Sequence, residues 1–124
     1  MKKILLVDDD EATNFYNHYI FKKSAINCEI VMLENGLKAL NYLKNIDVPD
    51  IIFLDINMPV MDGIQFLEEV QKCSNDKFDK VVVYAMISVD LSEEKFERLT
   101  AVRKVEIKKG KMLTVEYINN YVNI

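Results

Sequence analysis

Two apolar runs in this chain stop abruptly against carboxylates. Ile4-Leu5-Leu6-Val7 runs into Asp8-Asp9-Asp10, and Ile51-Ile52-Phe53-Leu54 runs into Asp55, with a turn through Pro59, Asp62 and Gly63 behind it. Four apolar residues in a row are too few for a helix and read as strands buried on both faces. The first strand is predicted over 3–8. Asp10 or Glu11 then opens a helix over 12–24, with Ala12, Phe15, Tyr19 and Ile20 on its inner face. A second strand over 28–33 ends at the turn dipeptide Asn35-Gly36. Helical spacing over 37–44 stops before Asp47-Val48-Pro49-Asp50. The third strand is 51–55, and Gly63 starts a helix to Lys72 that carries Ile64, Phe66, Leu67 and Val70. A polar loop over 74–79 leads to a fourth strand at 81–85. Ser92 caps a fourth helix with Glu93 and Glu94 in its first turn, where the helix dipole favours acids. A short, polar fifth strand follows at 105–107, and Thr114 caps a last helix containing Ile118, Tyr121 and Val122.

Strands alternating with helices over short crossovers give an α/β fold, a doubly wound parallel sheet of five strands with five helices on its two faces. Residues 1–124 make one domain, long enough to bury a core without staples. Sheets of this kind take their ligands at the carboxyl edge of the strands. If the first and third strands are neighbours, Asp8, Asp9 and Asp55 converge there.

Composition narrows the partners. A net charge of −4 argues against sequence-independent nucleic-acid binding, which needs a basic face. No apolar run approaches the roughly 20 residues of a membrane span. Cys28 and Cys73 show no metal-ligand spacing and follow no signal peptide, so reduced thiols in a cytoplasm are expected.

The stretches Lys-Ile-Leu-Leu-Val-Asp-Asp-Asp-Glu at 3–11, Glu-Asn-Gly-Leu-Lys-Ala-Leu at 34–40 and Leu-Asp-Ile-Asn-Met-Pro-Val-Met-Asp-Gly at 54–63 occur in that order. With them the sequence resembles the receiver domain of two-component response regulators over essentially its whole length. The resemblance implies a flavodoxin-like sheet in the order 2-1-3-4-5, which places the first and third strands side by side. It also implies roles. Asp9 and Asp55 would ligate Mg²⁺ with the backbone carbonyl of Asn57, and Asp8 would assist through water. Asp55 would accept a phosphoryl group from a phosphohistidine, the metal and a lysine neutralising charge on the transferring oxygens. A histidine kinase or histidine phosphotransfer protein would be the upstream partner. Output would pass to an unidentified protein through residues 92–121, from a stand-alone receiver.

Plainer readings cover several other residues. Asp10 and Glu11 suit a helix N-terminus, Pro59 and Gly63 suit turn geometry, and the only histidine, His18, reads as a surface helix residue.

The chain departs from the family pattern in three places. The fourth strand should end in Thr or Ser before a small residue, and the candidates here are Met86 or, with a one-residue slip, Ala85; Ser88 is the nearest hydroxyl. The aromatic residue expected on the fifth strand is replaced by Glu106 or Lys108, depending on register. The active-site lysine is Lys109 or Lys111. Lys109 is favoured, because the other register puts Lys108 and Lys109 into buried strand positions. No proline follows either lysine, so this loop is expected to be built differently.

These losses leave two further functions to weigh. One is a pseudo-receiver, a phosphorylation-independent binding module. The other is a phosphatase of the haloacid-dehalogenase type, which needs a second Asp two residues after the nucleophile, where Asn57 stands. An FMN-binding flavodoxin is disfavoured, since acids occupy the place of a phosphate-cradling loop.

Overall fold

The structure is a computed structural model that describes residues 1–73 and 76–122, with Lys77 described by its backbone alone. Its elements are β1 (Lys2–Val7), α1 (Glu11–Lys23), β2 (Cys28–Leu33), α2 (Gly36–Asn45), β3 (Ile51–Asp55), α3 (Gly63–Lys72), β4 (Val82–Ile87), α4 (Glu93–Val102), β5 (Glu106–Lys109) and α5 (Val115–Tyr121). The five strands are parallel, in the order β2-β1-β3-β4-β5. This is the flavodoxin-like order that the resemblance implies. Of the polar loop expected over 74–79, Asp76–Phe78 forms a 3-10 turn, and Ser74 and Asn75 lie outside the described residues.

Alternation along the strands divides the core into two layers. Leu5, Val7, Ile52, Leu54, Val83 and Ala85 pack with Leu40, Leu43, Ile64, Phe66 and Leu99 on the side of α2, α3 and α4. Ile4, Leu6, Ile51, Phe53, Tyr84 and Met86 pack with Ile20, Phe21, Leu113 and Ile118 on the side of α1 and α5. Both faces of β1 and β3 are covered over residues 4–7 and 51–54, so these stretches are continuously apolar rather than alternating.

Helix α1 departs from expectation. Phe15 and Tyr19 are more than half exposed and Ala12 is exposed, while Thr13, Asn14, Asn17, Ile20 and Phe21 are buried. The buried amides face the sheet because they have backbone partners there. Asn14 Nδ2 donates to the carbonyl oxygens of Asp8 (3.0 Å) and Leu33 (3.3 Å). Asn17 Nδ2 donates to the Lys111 carbonyl (2.8 Å), and its Oδ1 accepts from Leu113 N–H (2.8 Å). Hydrogen bonding offsets the cost of burying these groups, and the inner face is therefore not the apolar one. His18 on the same helix is half-buried.

The strand ends also move. β4 runs on through Met86 and Ile87, and β5 begins at Glu106 and includes both Lys108 and Lys109. Among the described residues no helix is long and apolar enough to cross a membrane.

Candidate functional site

β1 and β3 pair in register through Val7 and Leu54, so Asp8 and Asp55 follow side by side at the carboxyl edge of the sheet. Both are fully buried, whereas Asp9 is exposed beside them. One carboxylate oxygen from each of the three lies within 4.8 Å of the others. Asp10 takes no part: its side chain caps α1, accepting from Ala12 N–H and the Thr13 hydroxyl at 3.0 Å each.

Local backbone fixes the two buried acids. Asp8 Oδ1 accepts from Asp10 N–H (2.9 Å), and Asp55 Oδ1 from Asn57 N–H (3.1 Å). Behind Asp55 the chain turns at Val60, whose φ of 71° is unusual for a β-branched residue, with Met61 N–H bonded to the Pro59 carbonyl (3.0 Å). The turn brings Gly63 hard against the end of β3. A β-carbon there would stand 2.8 Å from the Asp55 carbonyl oxygen, so only glycine lets α3 start so close to the acid.

The lysine at the site is Lys111. Its ammonium lies 3.2 Å from Asp8 Oδ1 and 3.2 Å from Asp55 Oδ2. Lys109, the lysine favoured by the sequence pattern, is an exposed β5 residue paired with Ile87. The sequence pattern disfavours this register because it buries Lys108 in the strand. Lys108 is indeed buried, but its ammonium donates to the carbonyls of Lys109 (3.1 Å), Gly110 (3.2 Å) and Met112 (3.1 Å). Gly110, with φ at 81°, then turns the chain so that Lys111 faces the acids. Among the described residues there is no cis peptide bond.

The family's two switch positions also become definite in space. Met86 pairs with Asp55 across β3 and β4, and its side chain is buried with Phe53 and Tyr84 on the α1/α5 side. Ala85 is buried on the opposite side. Neither carries a hydroxyl, and Ser88 is exposed in the groove lined by Val89, Leu91, Phe96 and Ile107. Glu106 is an exposed residue paired with Tyr84, and with Lys111 in the site the position before the lysine falls to Lys108.

Charge and burial oppose each other here. Burial raises the Asp55 carboxyl and the Asp8 charge raises it further, against the pull of Lys111, leaving it at about 6. Asp8 is raised too, by burial, although Asp10 N–H and Lys111 act the other way. Burial alone would lower the Lys111 ammonium, but its close contacts with both acids and their charges prevail and raise it. One cation does not satisfy this cluster. Asp8 Oδ2 is buried with no hydrogen-bond donor, and Asp55 Oδ2 meets the Lys111 charge without hydrogen-bond geometry. Buried, unsatisfied carboxylate oxygens beside an exposed third acid suit a hard divalent cation, which takes oxygen ligands and keeps part of its water.

Fold and site together define a class, a doubly wound α/β module with a cation-competent acidic cluster and a lysine at its carboxyl edge. The response regulator receiver domain profile matches residues 4–105, and the chain belongs to that family of two-component signalling. Response regulator Rcp1 of Synechocystis is 35% identical over an 88-residue alignment that covers 66% of this chain and 60% of Rcp1. Sensor histidine kinase CheAY of Helicobacter pylori is 35% identical over 122 residues, 96% of this chain and 14% of CheAY. The chain thus corresponds to less than two thirds of the length of either relative. The crystal structure of the Mn²⁺-bound form of Rcp1 superposes with a TM-score of 0.79 at 25% identity, covering 98% of this chain and 94% of that one.

Proposed function

We propose that this chain is the phospho-accepting module of a two-component phosphorelay, with Asp55 taking a phosphoryl group from a phosphohistidine on a histidine kinase or phosphotransfer protein. The observation that carries the reading is the convergence of Asp8, Asp9 and Asp55 with the Lys111 ammonium at one edge of the sheet. Mg²⁺ is the cofactor: Asp9, Asp55 and the Asn57 carbonyl would hold it, with Asp8 acting through water. When bound, it supplies charge neutralisation for the transferring oxygens. Asp55, at the end of a buried strand, presents an oxygen to phosphorus. The P–O bond forms as the P–N bond to imidazole breaks, and the imidazole nitrogen takes a proton from solvent. Lys111 offsets negative charge beside the forming bond. Two cysteines that form no disulfide suit a cytoplasmic setting.

Intact mass after incubation with a small-molecule phosphodonor tests the reading. A single phosphoryl adduct is expected with Mg²⁺, and none with EDTA or in Asp55→Asn. A folded wild type that takes no adduct would favour the phosphorylation-independent binding module instead.

Output through an altered switch is part of the proposal, and it follows from Ala85 and Met86. A phosphoryl group shifts an equilibrium only by contacting two states differently, and these side chains offer no hydroxyl for such a contact. The 88–92 segment is therefore expected to keep its place when Mg²⁺ and a beryllofluoride phosphoryl mimic bind. A crystal structure with the segment drawn inward would refute this.

A further inference from the structure

The segment that delivers Lys111 is held by two side chains with no other evident use. Lys108 enters from β5, on the sheet face that also carries Asp55 and Met86. It spends all three ammonium donors on the carbonyls of Lys109, Gly110 and Met112, with the ammonium 5.2 Å from the centre of the Tyr117 ring. Asn17 enters from α1 and brackets the next residues, donating to the Lys111 carbonyl and accepting from Leu113 N–H. Gly110 N–H is tied to the Ile87 carbonyl at 2.8 Å. The backbone on both sides of Lys111 is thus fastened to β4, β5 and α1, and the side chain that it carries is 23% exposed.

Packing does not explain the charge at position 108. Burial pulls the Lys108 ammonium down from its ordinary pKa, and no carboxylate faces it among the described residues. A methionine would fill such a site at lower desolvation cost, as Met86 does on the paired strand. What the ammonium does, and a methionine could not, is donate to three carbonyls of the segment at once. It does so in a loop that lacks the proline of the family pattern.

We infer that Lys108 and Asn17 are positioning residues for phosphoryl transfer, acting solely by holding Lys111 against Asp8 and Asp55. The inference rests on the phospho-acceptor reading of Asp55, and the test is built to separate the two. Initial rates of adduct formation are measured by intact mass, with Mg²⁺ and the small-molecule donor, for Lys108→Met, Asn17→Ala, Lys111→Met and the double variants. Lys111→Met should slow the reaction about 100-fold, in the range for loss of one electrostatic donor. Lys108→Met should lose about 10-fold or more through misplacement of that donor. The decisive result is the pair: Lys108→Met should cost nothing further once Lys111 is methionine, because its effect runs through that side chain. A purely structural Lys108 would give additive losses, and that outcome overturns the inference, as does a Lys108→Met variant with the wild-type rate. Should Lys108→Met fail to fold, Asn17→Ala with its own double variant decides by the same criterion. Crystal structures of the folded single variants give an independent readout, with Lys111 Nζ expected to leave the 3.2 Å contacts it makes now. If the wild type takes no phosphate, the acceptor reading fails while that distance still decides whether Lys108 positions Lys111.

Discussion

Asp55→Asn should make the metal-free protein more stable at pH 7, by about 2 kcal/mol, although it removes the residue at the centre of the site. The carboxyl of Asp55 titrates at about 6 in the folded chain, raised by burial and by Asp8. In the unfolded chain it titrates near about 4. Between these values the folded state binds the extra proton, so stability falls as pH rises from about 4 to about 6 and stays at the lower level above that. Asparagine carries no charge at any pH and keeps the shape, so it escapes this loss. Two pH units correspond to roughly 3 kcal/mol, a figure already net of the attraction to Lys111, and the imperfect fit of an amide in place of the carboxyl takes back part of that.

The advantage of the variant should therefore appear above about pH 6 and vanish near pH 4. Urea unfolding of both proteins in EDTA at the two pH values checks it. A variant less stable than wild type at pH 7 would mean that the Lys111 pair outweighs burial. Saturating Mg²⁺ should remove the advantage, because a cation held about 100-fold above its dissociation constant adds about 2.7 kcal/mol to the wild type. A site poised in this way is costly to the empty fold and is relieved by the ion, which is expected of residues kept for binding rather than stability.

Which parts of this arrangement were readable in the sequence follows from the range of the forces involved. β1 and β3 were legible because a parallel strand covered on both faces must be apolar throughout, and an acid ending such a run can only emerge at the sheet edge. The inner face of α1 was not. Asn14 and Asn17 offset their burial with the carbonyls of Asp8, Leu33 and Lys111 and the N–H of Leu113, which no helical period reports. Phe15 and Tyr19, in helical spacing, lie outside instead, with the Lys23 ammonium 5.3 Å from the Tyr19 ring centre. The sequence pattern favours Lys109 over Lys111 because the other register puts Lys108 and Lys109 into buried strand positions. Yet Lys109 is exposed, and the buried Lys108 has no need of an acid. Here three carbonyls of its own loop serve, and that solution exists only once Gly110 has turned the chain. Gly110 was the available signal: a glycine directly after the strand ends it at Lys109 and makes Lys111 the first side chain of the turn.

Lys111→Met tests the opposite side of the same balance and should destabilise the metal-free fold. Asp8 and Asp55 would keep their backbone hydrogen bonds but lose the one cation that both contact among the described residues. Removing one partner of a buried ion pair costs about 3 kcal/mol or more, because the remaining charge stays desolvated. The two acids limit the damage by taking up protons. Without Lys111 their folded pKa values rise beyond the present ones, so the folded variant binds still more protons than the unfolded chain. Its stability should then fall more steeply than that of wild type as pH rises from about 4. In EDTA the variant is expected to approach wild type at pH 5 and to lie about 3 kcal/mol below it at pH 8. Mg²⁺ should restore most of the difference, since the ion binds more tightly to acids that the ammonium no longer neutralises and so stabilises the variant more than the wild type. Urea unfolding at pH 5 and pH 8, each with EDTA or MgCl₂, gives the four measurements. Equal loss at both pH values would show that Lys111 stabilises by packing its stem and not by its charge. A loss that Mg²⁺ leaves untouched would show that the three acids do not hold the ion.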